Sequence, residues 1–494
     1  MTPLLVCLAG SCALCLTLTP LARRLATRCG LLDRPDGRRK IHARPVPLAG
    51  GLAVFVSATA ALGSSLAFPG PLRDQFAGDA VGLLGLLAAC LAICAVGVAD
   101  DRGWLRGRHK LLGQVFAVAI VLGSGVVVRQ VRLFGWAFDL GLLAVPFTAF
   151  LLLGAINSLN LLDGMDGLLS SVGVIISLAL AVMAALAGHW PAAAVALALA
   201  GALLGFLRYN LPPASAYLGD CGSMLVGLVL GTVAIQSSLK APATIALATP
   251  LAVLTLPILD TTAAILRRKL TGRSIYTTDR GHLHHCLLRR GLSVGRVLVL
   301  VSFFCLATGL AGLASAAFNN DLIALLTALA VIATLVVTGL FGHAEAMLVK
   351  GRLVGLARSF WQRGVTGQPR QLEVRLQGSA DWRPLWLTLK SEASRLNLEQ
   401  LRLDVNAPAL HEGYHARWER TSDDGELPRL WRAEIPLRAR GLAVGRVEIA
   451  GHPDAEPVWV KIAAVAAVVE EFEGAGTAPP RAEPEPRLAP GRAE

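Results

Sequence analysis

The chain has 494 residues, 54% of them hydrophobic and 16% charged, with a formal net charge of +12. A soluble domain carries about 25% charged residues, so this composition and a mean hydropathy of +0.58 exclude a wholly soluble globular protein. Residues 1–349 hold 14 acidic and 25 basic residues against 20 and 21 in residues 350–494, so an apolar, basic part precedes a polar, nearly neutral one.

Crossing a bilayer takes about 20 mainly apolar residues. Eleven stretches qualify, near 3–19, 47–67, 79–99, 110–128, 140–160, 168–187, 190–207, 218–238, 243–266, 296–317 and 321–341. The first is followed, not preceded, by Arg23, Arg24 and Arg28, which suits a membrane helix with its N-terminus outside rather than a signal peptide. The division between the sixth and seventh rests on Gly188-His189-Trp190-Pro191. With that orientation the inside loops, 20–46, 100–110, 161–167, 208–217 and 267–295, hold 20 Lys and Arg, and the outside loops hold four, Arg73, Arg129, Arg132 and Lys240. This bias is the positive-inside pattern. The nine cysteines all lie in the apolar part; Cys12 and Cys15 have CxxC spacing but sit within the first apolar stretch, and all nine read as small hydrophobes.

The expected fold is therefore an all-α polytopic membrane protein of about 11 transmembrane helices, N-terminus outside and C-terminus cytoplasmic, followed by a small soluble α+β domain. The expected divisions are residues 1–345 for the membrane domain, 346–370 for a linker, 371–473 for the α+β domain and 474–494 for a disordered tail.

Polar motifs recur on the inside ends of these helices. The first inside loop carries Lys40 and His42, whose charge the positive-inside bias alone would explain. Asp100 and Asp101 end the third stretch; adjacent carboxylates repel, so one pKa rises or a cation holds both. Asn157, Asn160 and Asp163, spaced by three on one helical face, precede Gly164, Asp166 and Gly167. The bland reading is a polar helix end with a glycine stop. Asp220 opens the eighth stretch within Gly219-Asp220-Cys221-Gly222-Ser223, where a helix N-terminus favours phosphate and an Asp can hold a metal bridging to it. Taken alone it would be an N-cap. Asp260 lies two turns inside the ninth stretch, and His282, His284 and His285 follow in a basic loop. Cys286 is adjacent, but four ligands within five residues rarely wrap one zinc, whereas histidines handle phosphate or protons. Charges at a bilayer boundary are costly without a task. Hard oxygen donors from several helices facing one compartment point to Mg²⁺, and Mg²⁺ to phosphate chemistry.

Two rival classes fit less well. A secondary transporter would place its acids near the midplane and show inverted repeats, and neither is visible here. An inert membrane anchor leaves the one-sided motifs without a cause.

In this order the motifs resemble those of the polyprenyl-phosphate N-acetylhexosamine-1-phosphate transferase superfamily (glycosyltransferase family 4 type). Within it they look most like the bacterial undecaprenyl-phosphate GlcNAc-1-phosphate transferases. The resemblance covers about residues 1–345 and rests on Arg39-Lys40-x-His42 with Pro47 and Gly50-Gly51, on the Asp100 pair, on the Asn157–Gly167 motif, on Gly219–Ser223, and on Asp279-Arg280-x-His282-Leu283-His284-His285. It implies transfer of N-acetylhexosamine-1-phosphate, most simply GlcNAc-1-phosphate, from a UDP-sugar to undecaprenyl phosphate. The products are the lipid-linked sugar diphosphate and UMP, in the first membrane step of a cell-envelope glycan pathway. It also implies an Mg²⁺ cofactor, replaceable by Mn²⁺, and an active site on the cytoplasmic face of the plasma (inner) membrane. Asn160 and Asp220 match its metal ligands. Asp100, Asp101, Asp163 and Asp166 match its catalytic acids. Asp100 is either a base for the lipid phosphate or a further metal ligand, and Asp163 either a nucleophile or not. Lys40, His42, Asn157, His282, His284 and His285 match substrate-binding positions; Asp260, outside these motifs, is read from its place in the helix as a substrate-binding candidate or a buried partner of Arg267, Arg268 and Lys269. Leu283 interrupts the histidines, unlike the three consecutive ones of the phospho-MurNAc-pentapeptide transferases, which remain the alternative within the family. No nucleic acid partner is implied, and a homodimer is compatible.

Beyond residue 370, alternation marks strands at Leu372/Val374/Leu376, Leu401/Leu403/Val405, 414–420, Trp431–Leu437 and Ala443–Ile449, with helices near 383–396 and 458–472. No catalytic constellation is visible; His411, Glu412 and His415 form a loose cluster expected at the surface, and a regulatory or partner-binding role is expected.

Overall fold

The computed structural model describes residues 2–34, 45–134, 136–237, 239–241, 244–246, 248–271, 281–361, 370–378, 381–407, 410, 412–420, 430–439, 442–454 and 456–474. Lys40, His42 and His411 lie outside these. The chain forms two compact units, Met1–Thr262 with His282–Thr338, and Ala263–Gly281 with Gly339–Glu494.

The first unit is helical. Among the described residues, seven of its helices are long and apolar enough to cross a membrane: α1 (Thr2–Arg28), α3 (Ala80–Asp101), Gly141–Leu162 (its α-helical part, α5, is Ala144–Leu162), α6 (Leu168–Leu186), α7 (Trp190–Asn210), α8 (Gly219–Ser237) and α11 (Val294–Phe318). Two shorter apolar helices, α2 (Gly50–Ser65) and α12 (Asp321–Val337), join them. Helix α4 (Gly107–Gly123) has a polar first turn and an apolar remainder. The ninth predicted stretch is broken into Ala248–Val253 and α9 (Thr255–Leu270). Pro257 accounts for the break, because its ring excludes the carbonyl four residues back, that of Val253.

Helix α8 is buried around almost its whole circumference and forms the centre, with α3 and α5 against it. Its first turn is approached at backbone distance. A Cβ on Gly97 of α3 would lie 2.3 Å from the Cys221 Cα, and one on Gly51 of α2 would lie 2.4 Å from the Gly222 nitrogen. Small residues at such crossings replace the hydrophobic drive that lipid cannot supply between helices.

At one end of this unit, β1 (Leu32–Asp33) pairs with β2 (Val46–Pro47), and Leu48 bridges to Tyr217 just before α8. At the other end four short strands form a sheet: β3 (Gln130–Leu133), β4 (Trp136–Asp139), β5 (Leu239–Ala241) and β6 (Thr244–Ala246), in the order β4-β3-β6-β5. The short helix α10 (Leu283–Arg289) follows His282.

The second unit contains α13 (His343–Trp361) and a five-stranded antiparallel sheet with two further helices. Its strands are β7 (Arg370–Gln377), β8 (Gln400–Ala407), β9 (Glu412–Glu419), β10 (Trp431–Ala439) and β11 (Leu442–Gly451), ordered β10-β11-β8-β9-β7. Helices α14 (Arg383–Arg395) and α15 (Val458–Gly474) cover one face, with Trp382, Trp386, Leu389, Val465 and Val469 packed on Leu401, Leu403, Val405 and Trp418. The strands and both helices occur where alternation and periodicity place them, but Glu412 and His415, expected at the surface, are buried, Glu412 accepting the Trp382 indole N–H at 3.2 Å and His415 facing Asp404 at 3.4 Å. One edge strand reverses its apolar face. Val374 pairs with His415 and Glu373 with Ala416, so Leu372 and Val374 lie opposite the two-helix core. A Cβ on Gly351 of α13 would lie 2.7 Å from Leu372, so α13 packs there. Buried Arg267 and Glu345 form an ion pair within this unit.

Candidate active site

The site grows from the first turn of α8. Gly219 adopts a positive φ of 71°, where a Cβ would also meet the Asp101 carboxylate at 2.6 Å. Glycine therefore serves twice, in the turn and in the approach. Asp101 accepts the backbone N–H groups of Asp220 at 2.8 Å and of Cys221 at 3.3 Å. A carboxylate from α3 thus satisfies the free donors at the α8 N-terminus, where the helix dipole favours negative charge.

Asp100, beside it, turns to a different partner. Its Oδ2 lies 2.7 Å from the Lys110 ammonium, which also donates to Asp220 Oδ1 at 2.7 Å and to Asn160 Oδ1 at 3.3 Å. Asn160 in turn donates to Asp220 Oδ1 at 2.6 Å and to Ser223 Oγ at 2.7 Å. Helices α3, α4, α5 and α8 therefore meet at one half-buried cation. The sequence reading passed over Lys110, which the positive-inside bias already explained. Its companion would have flagged it, because Gln114 lies one turn on, buried in an apolar helix, and exchanges hydrogen bonds with Asn157 at 2.9 and 3.3 Å.

Asp163 ends α5 within electrostatic reach of this cluster. Burial first, then the charges of Asp220, Asp101 and Asp166, push its carboxyl up to about 8. Asp166 accepts the Ala214 N–H at 2.9 Å and is hydrogen-bonded to Tyr217, another residue the sequence reading passed over. Burial, and after it the Asp166 carboxylate, raise the Tyr217 phenol above its ordinary value.

The histidines arrive from the far part of the same unit. Fully buried Asp260 meets His282 Nδ1 at 3.0 Å and accepts the Leu283 N–H at 2.8 Å, fixing the start of α10. His284 is buried against Gly164, where a Cβ would lie 2.4 Å from its Nε2. Neither ring nitrogen of His284 has a hydrogen-bond partner among the described residues. Burial, then the neighbouring His285, push it down to about 3, so it is neutral. The His284 and His285 rings lie 4.2 Å apart.

The donors suit a divalent cation chemically, being carboxylates, an amide oxygen and a hydroxyl. Asn160 Oδ1 and Asp220 Oδ1 already converge on one positive charge, that of Lys110. Among the described residues no group of three His, Cys, Asp or Glu side chains gathers at metal-binding distance.

A family model described as glycosyl transferase family 4 matches residues 83–238, the span holding Asp100 through Asp220. The chain is 31% identical over 290 residues to the "Probable undecaprenyl-phosphate N-acetylglucosaminyl 1-phosphate transferase" of Bacillus subtilis (strain 168), covering 58% of this chain and 78% of the relative. It is 32% identical over 339 residues to the decaprenyl-phosphate N-acetylglucosaminephosphotransferase of Mycolicibacterium smegmatis, covering 64% and 83%. It is 27% identical over 289 residues to the undecaprenyl-phosphate alpha-N-acetylglucosaminyl 1-phosphate transferase of Escherichia coli (strain K12), covering 57% and 75%. Similarity of this extent spans most of each relative, and the chain belongs to the polyprenyl-phosphate N-acetylhexosamine-1-phosphate transferase superfamily, of the glycosyl transferase family 4 type.

Proposed function

We propose that the chain transfers GlcNAc-1-phosphate from UDP-GlcNAc to undecaprenyl phosphate at the cytoplasmic face of the inner membrane, as the first membrane step of a cell-envelope glycan pathway. An oxygen of the lipid phosphate attacks the sugar-bearing phosphorus. The bond from that phosphorus to the UMP oxygen breaks, UMP leaves, and the lipid-linked sugar diphosphate remains. The observation that carries this reading is the convergence of Asp100, Asn160 and Asp220 on Lys110. Two phosphate anions must meet in this reaction, so a site that gathers and aims positive charge is what it needs.

Asn160 and Asp220 would hold Mg²⁺ or Mn²⁺, which when bound supplies charge neutralisation at the diphosphate. Lys110 adds a second positive charge beside it. Asp100 is the carboxylate placed to take a proton from the lipid phosphate. Asp101, with both oxygens on backbone N–H groups of α8, positions Asp220. Burial and the neighbouring carboxylates raise the Asp163 carboxyl, which favours a hydrogen-bond donor over a nucleophile in the metal-free site. Asp260 orients His282, while His285 is the partly exposed histidine of the three and would contact a phosphate. Asp166, bonded to the Ala214 N–H and to Tyr217, holds the loop beside the catalytic carboxylates, and Lys40, His42 and Asn157 complete the substrate-binding set.

The GlcNAc donor is supported by the names of the three relatives and by Leu283 between His282 and His284. The cytoplasmic placement is supported by 20 basic residues on the motif-bearing loops against four on the others, counting eleven crossings with the broken ninth as one. Purified protein incubated with Mg²⁺, undecaprenyl phosphate and a panel of UDP-sugars tests all of this. UMP release with UDP-GlcNAc alone is the expected outcome. Release only with UDP-MurNAc-pentapeptide would transfer the chain to the sibling reaction, and release with no sugar would overturn the reading.

A further inference from the structure

We infer that the β3–β4 hairpin is an interfacial membrane anchor that lays Trp136 and Phe138 into the headgroup–acyl boundary of the leaflet opposite the candidate site. The hairpin's position follows from its flanking helices. Helix α4 carries Lys110 near its start and ends at Gly123 before the hairpin, while α5 leaves the hairpin at Ala144 and reaches Asn160 near its other end.

The register makes the hairpin amphipathic. Phe138 pairs with Val131 and Ala137 with Arg132, so Trp136, Phe138 and Val131 share one face, and Arg132 and Asp139 take the other. Val131 is 8% exposed, whereas Trp136 is 74% and Phe138 57% exposed. The turn is held from outside the hairpin, since the Phe134 N–H donates to Asp321 Oδ2 at 3.0 Å. Asp321 opens α12, next to exposed Phe318 and Leu322.

Continuity identifies the occupant. The apolar strip runs on from Trp136 and Phe138 through Leu142, 99% exposed, to Leu143, Val145 and Phe150 on the outer flank of α5. That flank belongs to a helix long and apolar enough to cross the bilayer, so lipid covers it. A soluble surface rarely carries so large an apolar patch. Trp and Phe at the junction, with Arg129 and Arg132 beside them, are the composition of the belt where apolar rings meet headgroups.

The test uses the full-length protein in phosphatidylcholine–phosphatidylglycerol vesicles whose acyl chains carry bromine either near the headgroup or near the chain end. Subtracting the emission of Trp136→Phe from that of the native protein isolates Trp136 among the nine tryptophans. UMP release by Trp136→Phe equal to that of the native chain establishes that the variant is folded. An interfacial residue predicts that headgroup-proximal bromine lowers Trp136 emission roughly twofold, more than chain-end bromine or aqueous iodide does. Quenching by iodide alone would place the hairpin in water and overturn the inference. Quenching by none of the three would mean that a second copy or another protein covers the face, and would overturn it too.

Discussion

Lys110 is the residue on which the site turns, and it was the least conspicuous in the sequence. One ammonium receives two carboxylates and an amide oxygen from three other helices. Charge-assisted hydrogen bonds contribute about 1.5–3 kcal/mol each. Lys110→Met is therefore expected to lower kcat/KM for transfer by about 100-fold or more; steady-state UMP release measures it, and a value close to native would remove Lys110 from the reaction. Asp163 yields a pH prediction. In the unfolded chain it ionises near 3.8, and in the fold near 8. Below the lower value both states hold the proton. As pH climbs through that window the unfolded state releases a proton that the folded state keeps, so stability falls and then levels off above about 8. Asp163→Asn removes this dependence, so its melting temperature should gain on the native one as pH rises from about 4 to 8. Thermal unfolding in detergent at a series of pH values decides it, and a constant gap would contradict the assignment.

Among elements, the informative contacts are those that a side chain would forbid. Gly164 gives room to His284, and that contact brings the histidine segment to the Asp163 loop. Gly164→Ala forces the ring away and should cost about 1–3 kcal/mol of overpacking. Its expected kinetic signature is a raised KM for the UDP-sugar in a protein that still folds; native kinetics would mean that the histidines do not serve the substrate. The neutral His284 adds an acid limit. The unfolded ring charges below about 6.5 while the folded one resists to about 3, so stability is lost as pH falls through that interval. Gly97→Val tests the helix crossing. Its Cβ would strike the Cys221 backbone, so α8 and Asp220 must shift, and both melting temperature and activity should fall.

At the scale of the whole molecule, two units divide two kinds of chemistry. The helical unit carries the carboxylates, the lysine and the histidines, whereas the sheet unit carries a core of its own built on Trp382, Trp386 and Trp418. Trp386→Ala should cost that core about 3–5 kcal/mol, seen as earlier proteolysis of residues 370–474 in a limited digest. Equal resistance would mean that the helices do not stabilise the sheet. A regulatory or partner-binding role predicts that removing residues 370–494 changes activity, expression or co-purifying proteins. Finding all three unchanged would withdraw that role.

Much of this was legible from local pattern. Hydropathy over windows of a helix length marks the apolar helices, and spacing by three puts Asn157, Asn160 and Asp163 on one face. These depend on residues close together in the chain, so one sequence determines them. Other features are contacts between residues far apart. Asp100 and Asp101 are chemically identical neighbours, yet one meets Lys110 and the other the backbone of α8, 119 residues on. Asp260 serves His282, and Gly164 receives His284. Pro257 breaks a stretch that hydropathy reads as continuous. Only packing separates these roles, because burial and partner distance, not residue type, decide which carboxylate holds a helix, which meets a cation and which keeps its proton.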